Sequence, residues 1–228
     1  MKAITVGKTV GVMAVGLCLL AVSANANIIT VDTGAVSVGG SAASAEAVFT
    51  TGAGVLNITL RNTEADPAAV AQCLSGLSFV LSSGQTAGTL ASSAGKERTI
   101  ASDGSFTDGS IVATGWSLNN LFLNVLGTAT APTHTIIGGP GAGNLYHGNS
   151  SILGNGPHNP FLAGDVTFTI DITGLTAAST ITSTMFQFGT ATGSDVTVQT
   201  PNVPDGGMTL ALLGTSLCGL GLFARRRK

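Results

Sequence analysis

The chain has 228 residues, only 9% of them charged, and a formal charge of −2. That small value conceals a division. Between Asn27 and Pro204 ten carboxylates stand against three cations, Arg61, Lys96 and Arg98, for a formal charge of −7, while both termini are basic. A body without a cationic footprint disfavours nucleic-acid binding, which needs positive charge to neutralise phosphates.

In chain order, Lys2 and Lys8 precede an apolar run from Val10 to Val22, and Ala24-Asn25-Ala26 is an Ala-x-Ala cleavage site. This is the pattern of a secretory signal peptide over residues 1–26, cut by signal peptidase to leave Asn27 as the mature start. Leu17 precedes Cys18 where a lipoprotein needs a small residue. The stretch that follows, about 178 residues to Pro204, suits one domain.

Within that domain, Val55 to Asn62 alternates as a strand, with Leu56, Ile58 and Leu60 on the buried face and Asn57, Thr59 and Arg61 opposite. Cys73 is the only cysteine between the termini, so no disulfide framework exists, and its apolar neighbours make it a small buried hydrophobe. Leu77 to Leu81 is a further strand. Asp103-Gly104-Ser105 and Asp108-Gly109-Ser110 repeat at an interval of five. They read as turns, with Asp103 and Asp108 as weak calcium candidates. Trp116 to Leu126 is ambiguous. Leu118, Leu121, Phe122 and Val125 line one face of a helix, a strand pair is the alternative, and a short helix or irregular crossover is preferred. Trp116 is read as core.

Residues 138–160 form a long Gly-, Asn- and Pro-rich loop, of the kind that is often functional or mobile. Its glycines fit neither the P-loop nor the dinucleotide fingerprint. His134, His147 and His158 cluster around it and are weak zinc or copper candidates, although their spacings match no compact motif. No Gly-x-Ser-x-Gly elbow is present. Asp165 and Asp171 are indistinguishable from solvent-face residues of a strand, which leaves a hydrolase built on Asp165, His147 or His158 as a remote alternative.

Val166 to Thr173 is the clearest strand, apolar at even positions and polar at odd ones after Val166. Ile181 to Gly189 and Val196 to Gln199 follow, with a turn at Gly193-Ser194-Asp195. No sustained 3.6-residue period appears in the body. The fold expected is an all-β antiparallel β-sandwich of about eight to ten strands, with its edges shielded by Gly-rich turns and the loop.

The chain closes on Val203-Pro204-Asp205-Gly206-Gly207, an apolar run from Met208 to Ala224, and Arg225-Arg226-Arg227-Lys228. Seventeen residues make a helix of about 26 Å, near the lower limit for crossing a bilayer. Four adjacent cations should stay on the cytoplasmic side, which puts the body outside the inner membrane. The Pro/Gly stretch should be an accessible, extended hinge.

This tail resembles the PEP-CTERM sorting signal of bacterial surface proteins. It is similar to the Val-Pro-Asp-Ser-Gly variant, with Gly206 where that variant has Ser. The runs Val55 to Thr63 and Phe186 to Thr190 also resemble a pattern common in such proteins. The resemblance implies an exosortase partner, a membrane-anchored precursor cleaved near Pro204 to Gly207, and export to the cell surface or an extracellular polysaccharide matrix. With no assembled catalytic motif, a non-enzymatic structural or adhesive surface protein without a cofactor is expected. A glycan- or metal-binding module using loop 138–160 is the alternative.

Overall fold

The computed structural model describes residues 26–38, 40–127, 132–191, 193 and 195–199. The signal peptide up to Asn25 and the whole tail from Val203 lie outside the described residues, so the expected membrane-spanning run does too. Among the described residues no helix is long and apolar enough to cross a membrane.

The described chain is mostly β, and its only helical turns are 3-10 turns at Val70–Gln72 and Ala142–Asn144. Five strands precede the first turn: β1 (Asn27–Asp32), β2 (Val36–Val38), β3 (Ser41–Ala43), β4 (Ala45–Thr51) and β5 (Val55–Asn62). Next come β6 (Leu74–Leu81), β7 (Thr89–Ile100), β8 (Phe106–Val112), β9 (Ser117–Asn119), β10 (Phe122–Asn124) and β11 (Ile136–Ile137). The chain ends its described course in β12 (Phe161–Asp171), β13 (Ile181–Phe188) and β14 (Asp195–Gln199).

Twelve of these strands form one hydrogen-bonded network, and β2–β3 form a separate ladder. One run reads β1-β4-β5-β12-β7-β8 and another β9-β10-β6-β13-β14. The two-residue β11 bridges them, parallel to β12 and antiparallel to β6. Among the described residues fourteen strands therefore replace the eight to ten expected, and the network is not wholly antiparallel.

The two runs bring apolar faces together. Phe49 of β4 meets Phe79 of β6 edge-on, with ring centroids 5.5 Å apart. Trp116, 4% exposed, lies 5.3 Å from Phe168 of β12. Burial of such side chains is the main stabilising term in a fold of this size. The alternation read in Val55 to Asn62 and Val166 to Thr173 holds: Leu56, Ile58, Leu60, Val166, Phe168 and Ile170 are all buried.

Two local expectations fail as well. Trp116 to Leu126 is neither a helix nor an irregular crossover; it contains the hairpin β9–β10, with Leu118 opposite Leu123. Asn120 and Leu121 both sit at positive φ, 48° and 59°, the backbone of a tight hairpin turn whose twist suits the flanking strands. The second Asp-Gly-Ser is not a turn either. Asp108, Gly109 and Ser110 lie inside β8, paired with β7 across a register shift between Lys96 and Arg98.

Candidate functional site

Loop 138–160 covers a second, smaller core of Val70, Cys73, Ile100, Ile137, Tyr146, Ile152, Phe161 and Ala163. Backbone and side-chain bonds hold it down along its length. The Tyr146 N–H donates to the Gly104 carbonyl at 3.0 Å, and the Asn149 N–H to Ala68 O at 2.7 Å. The Val70 N–H donates to Ser151 Oγ. The Asn159 amide pairs with both backbone groups of Ile100, accepting from its N–H and donating to its carbonyl, each at 3.0 Å. Gly138 lies so close to the preceding β5 connection that a Cβ there would overlap the Glu64 carbonyl. The glycines therefore include close-approach positions, not only free hinge points.

The candidate ligands are engaged within this framework. Asp66 anchors the loop: its Oδ1 accepts the His147 N–H at 2.8 Å, its Oδ2 accepts from His147 Nδ1 at 2.8 Å, and its own N–H donates to Gly139 O. The bond from the His147 backbone, more than the ring's charge, holds the Asp66 carboxyl below its ordinary range. His134 Nδ1 donates to the Thr114 carbonyl at 2.9 Å, and its Nε2 lies 3.0 Å from Glu97 Oε1. The Trp116 indole N–H donates to the His134 carbonyl. His158 Nδ1 sits 3.2 Å from Pro132 O. Among the described residues no group of three or more His, Cys, Asp or Glu is placed to hold a metal ion.

Asp103 accepts from the N–H and hydroxyl of Ser105, a local turn that lowers its pKa through the hydroxyl bond first. Asp108 belongs to a different cluster. Arg98 clasps it with two bonds, Nε to Oδ1 at 2.7 Å and Nη2 to Oδ2 at 3.0 Å, and Lys96 Nζ approaches Oδ2 at 2.9 Å. The Arg98 clasp leads in pulling the Asp108 pKa down to about 2. Arg98 Nη1 also donates to the Tyr146 hydroxyl, which donates to Gly138 O at 2.8 Å, and the guanidinium lies over the Phe106 ring. Two nominal calcium candidates thus have separate internal duties.

Asp165, the remote hydrolase candidate, is exposed and bridged to Arg61 Nε at 3.2 Å, and Arg61 also meets Glu46 at 3.1 Å. Asp171 is exposed at the end of β12. Cys73 is fully buried, and desolvation raises its thiol pKa to about 12, far from a reactive thiolate. Sequence reading missed the Asp66–His147, Glu97–His134 and Arg98–Tyr146 partnerships. Their members stand 81, 37 and 48 residues apart, and no local motif marks them.

What remains as a functional feature is the junction at the end of the body. Strand β14 pairs only with β13 among the described residues and ends at Gln199. Residues 202–228 match the family described as the VPDSG-CTERM motif. The chain carries there a PEP-CTERM-like exosortase sorting signal in its Val-Pro-Asp-Ser-Gly variant. That motif implies processing by an exosortase-type enzyme and marks the chain as a secreted, surface-directed protein with a membrane-associated precursor. No curated protein and no solved structure matches the chain.

Proposed function

We propose that the chain is an exported cell-surface or extracellular-matrix protein with a structural or adhesive role, and that it is not an enzyme. The observation that carries this reading is the sorting motif placed directly behind the last strand of a β body. In this reading residues 1–26 are the signal peptide and 27–202 are the exported domain. Its two facing strand runs constitute a β-sandwich. Residues 203–228 are the sorting signal, with a membrane-spanning helix over 208–224 and the stop Arg225 to Lys228.

The body supports a passive role. Its polar clusters are spent on internal bonds: Asp66 on His147, Glu97 on His134, Asp108 on Arg98 and Lys96. Side chains held this way fasten a loop to a sheet and leave few groups free to bind or activate a substrate. Contact with exopolysaccharide would then come from the Ser/Thr-rich outer surface and not from a pocket.

Intact mass and terminal sequence of the protein from membrane and extracellular fractions test the reading. A released species starting at Asn27 and ending between Pro204 and Gly207 is expected. A membrane species that starts at Asn27 and keeps Arg225 to Lys228 as the only product would reduce the tail to a plain anchor.

A further inference from the structure

Among the described residues strand β1 closes one edge of the longer run, pairing with β4 alone over six consecutive residues without a register shift. Two of the other edges are guarded. Strand β8 carries Gly109, faces a register shift in β7 and ties Asp108 to two cations. Strand β9 has three residues. Strand β14, the remaining edge, is followed closely in sequence by the sorting segment. Strand β1 has no proline, no lysine and no bulge to discourage edge pairing, and its one charge, Asp32, stands at its end. Its sequence, Asn27-Ile28-Ile29-Thr30-Val31-Asp32, is rich in β-branched residues, and Ile28 is 68% exposed.

The hydrogen-bonding phase of this edge follows from bonds at its end. The Thr33 N–H donates to Ala45 O at 3.0 Å, so the odd residues of β1 direct their backbone groups to β4. On the far side of β4, the Thr63 N–H donates to Ser44 O and the Gly52 N–H to Val55 O. The even residues of β4 thus face β5, and the odd ones face β1. The free donors and acceptors of β1 therefore belong to Ile28, Thr30 and Asp32.

We propose that β1 is a self-association edge, pairing antiparallel with β1 of a second copy about a twofold axis at Thr30. The free groups are self-complementary in this register. Thr30 faces its own counterpart and Ile28 faces Asp32 of the other copy, for about six backbone hydrogen bonds. Ile29 comes opposite the other copy's Val31, which continues the inner apolar row across the junction. The two Asp32 carboxylates stay apart, so no like-charge pair forms. An isologous contact of this kind closes as a dimer and does not propagate into a fibre.

Cysteine crosslinking on cells producing the full chain tests this, in a background with Cys18→Ser and Cys218→Ser; Cys73 is buried. Facing residues of a hydrogen-bonded antiparallel pair lie about 5.5 Å apart at Cα, within disulfide reach. Thr30→Cys should give a disulfide dimer at least five-fold above Thr50→Cys, a control on the outer face of β4. Adding Ile28→Asp, which sets two carboxylates against Asp32 of the other copy, should remove that dimer. Adding Ile28→Lys, which faces the same Asp32 with an opposite charge, should keep it. Equal yields from Thr30→Cys and Thr50→Cys would overturn the proposal. So would loss of the dimer with both charges, which indicates mere apolar stickiness, or an adduct whose mass shows a different partner protein.

Discussion

Asp108 shows how a residue that looks like a ligand becomes a structural rivet. Its carboxylate takes both arms of Arg98, whose side chain is only 13% exposed, while Lys96 covers the remaining oxygen. Asp108→Asn keeps the shape and removes the charge, leaving a mostly buried guanidinium under-neutralised. A loss of about 2 kcal/mol is expected, measured by urea unfolding at pH 7. Because the folded pKa of Asp108, about 2, lies below its ordinary 3.8, the pair's contribution is complete above that ordinary value. It is lost as pH falls from about 4 towards 2. Wild type and Asp108→Asn should therefore converge in stability on acidification. Both should still weaken there, because Asp66 and Asp103 are also held low. A stability difference that stays constant down to pH 2 would show that the carboxylate's charge is not what Arg98 needs.

Among the elements, the loop over 138–160 is fitted closely onto the body. Gly138 is the tightest point, since any Cβ would overlap the Glu64 carbonyl. Gly138→Ala must displace that backbone and disturb the Tyr146 hydroxyl bond to Gly138 O. A cost of about 2–3 kcal/mol in thermal unfolding is expected, together with faster proteolysis inside the loop. Gly139, where a Cβ would meet nothing, should accept alanine with little change, and equal effects at both positions would refute the close-approach account.

Strands with one wet and one dry face were legible because burial imposes a period of two, as in β5 and the second half of β12. Strand β7 was not, although it is the longest. Lys96, Glu97 and Arg98 interrupt its apolar positions, and one of its buried places is Gly95, which leaves room for Leu162. The β9–β10 hairpin deceived because Leu118, Leu121, Phe122 and Val125 also satisfy a helical period, while its turn is Asn120-Leu121 and not Asn-Gly. The polar pairs could not be read at all. Hydrogen bonds across 37 to 81 residues are set by topology, and a single sequence carries no record of which strands lie side by side. The sorting tail was legible because its function is local: a short motif, a greasy run and a basic stop work in a line.

For the whole molecule, the decisive geometry is the short distance between the folded body and the sorting motif. Strand β14 ends at Gln199 and the motif begins at Val203. Three intervening residues reach about 10–14 Å between them when fully extended. In the proposed reading the apolar run that starts at Met208 anchors the precursor, which would hold the body close to the membrane. On that reading a processing enzyme would have to reach the Pro204 to Gly207 backbone beside a folded domain. It gains room only by that reach or by peeling β14 from β13, its one partner among the described strands. Inserting ten Gly/Ser residues after Pro201 should therefore speed conversion of precursor to processed protein, and deleting Thr200 to Asn202 should slow it, both by several-fold. Intact mass over a time course after pulse expression reads the conversion, and thermal unfolding of the body should be unchanged in the insertion variant. If conversion were indifferent to linker length while Asp205→Ala still blocked it, the enzyme would be acting before the domain folds. Processing would then precede assembly of the sheet.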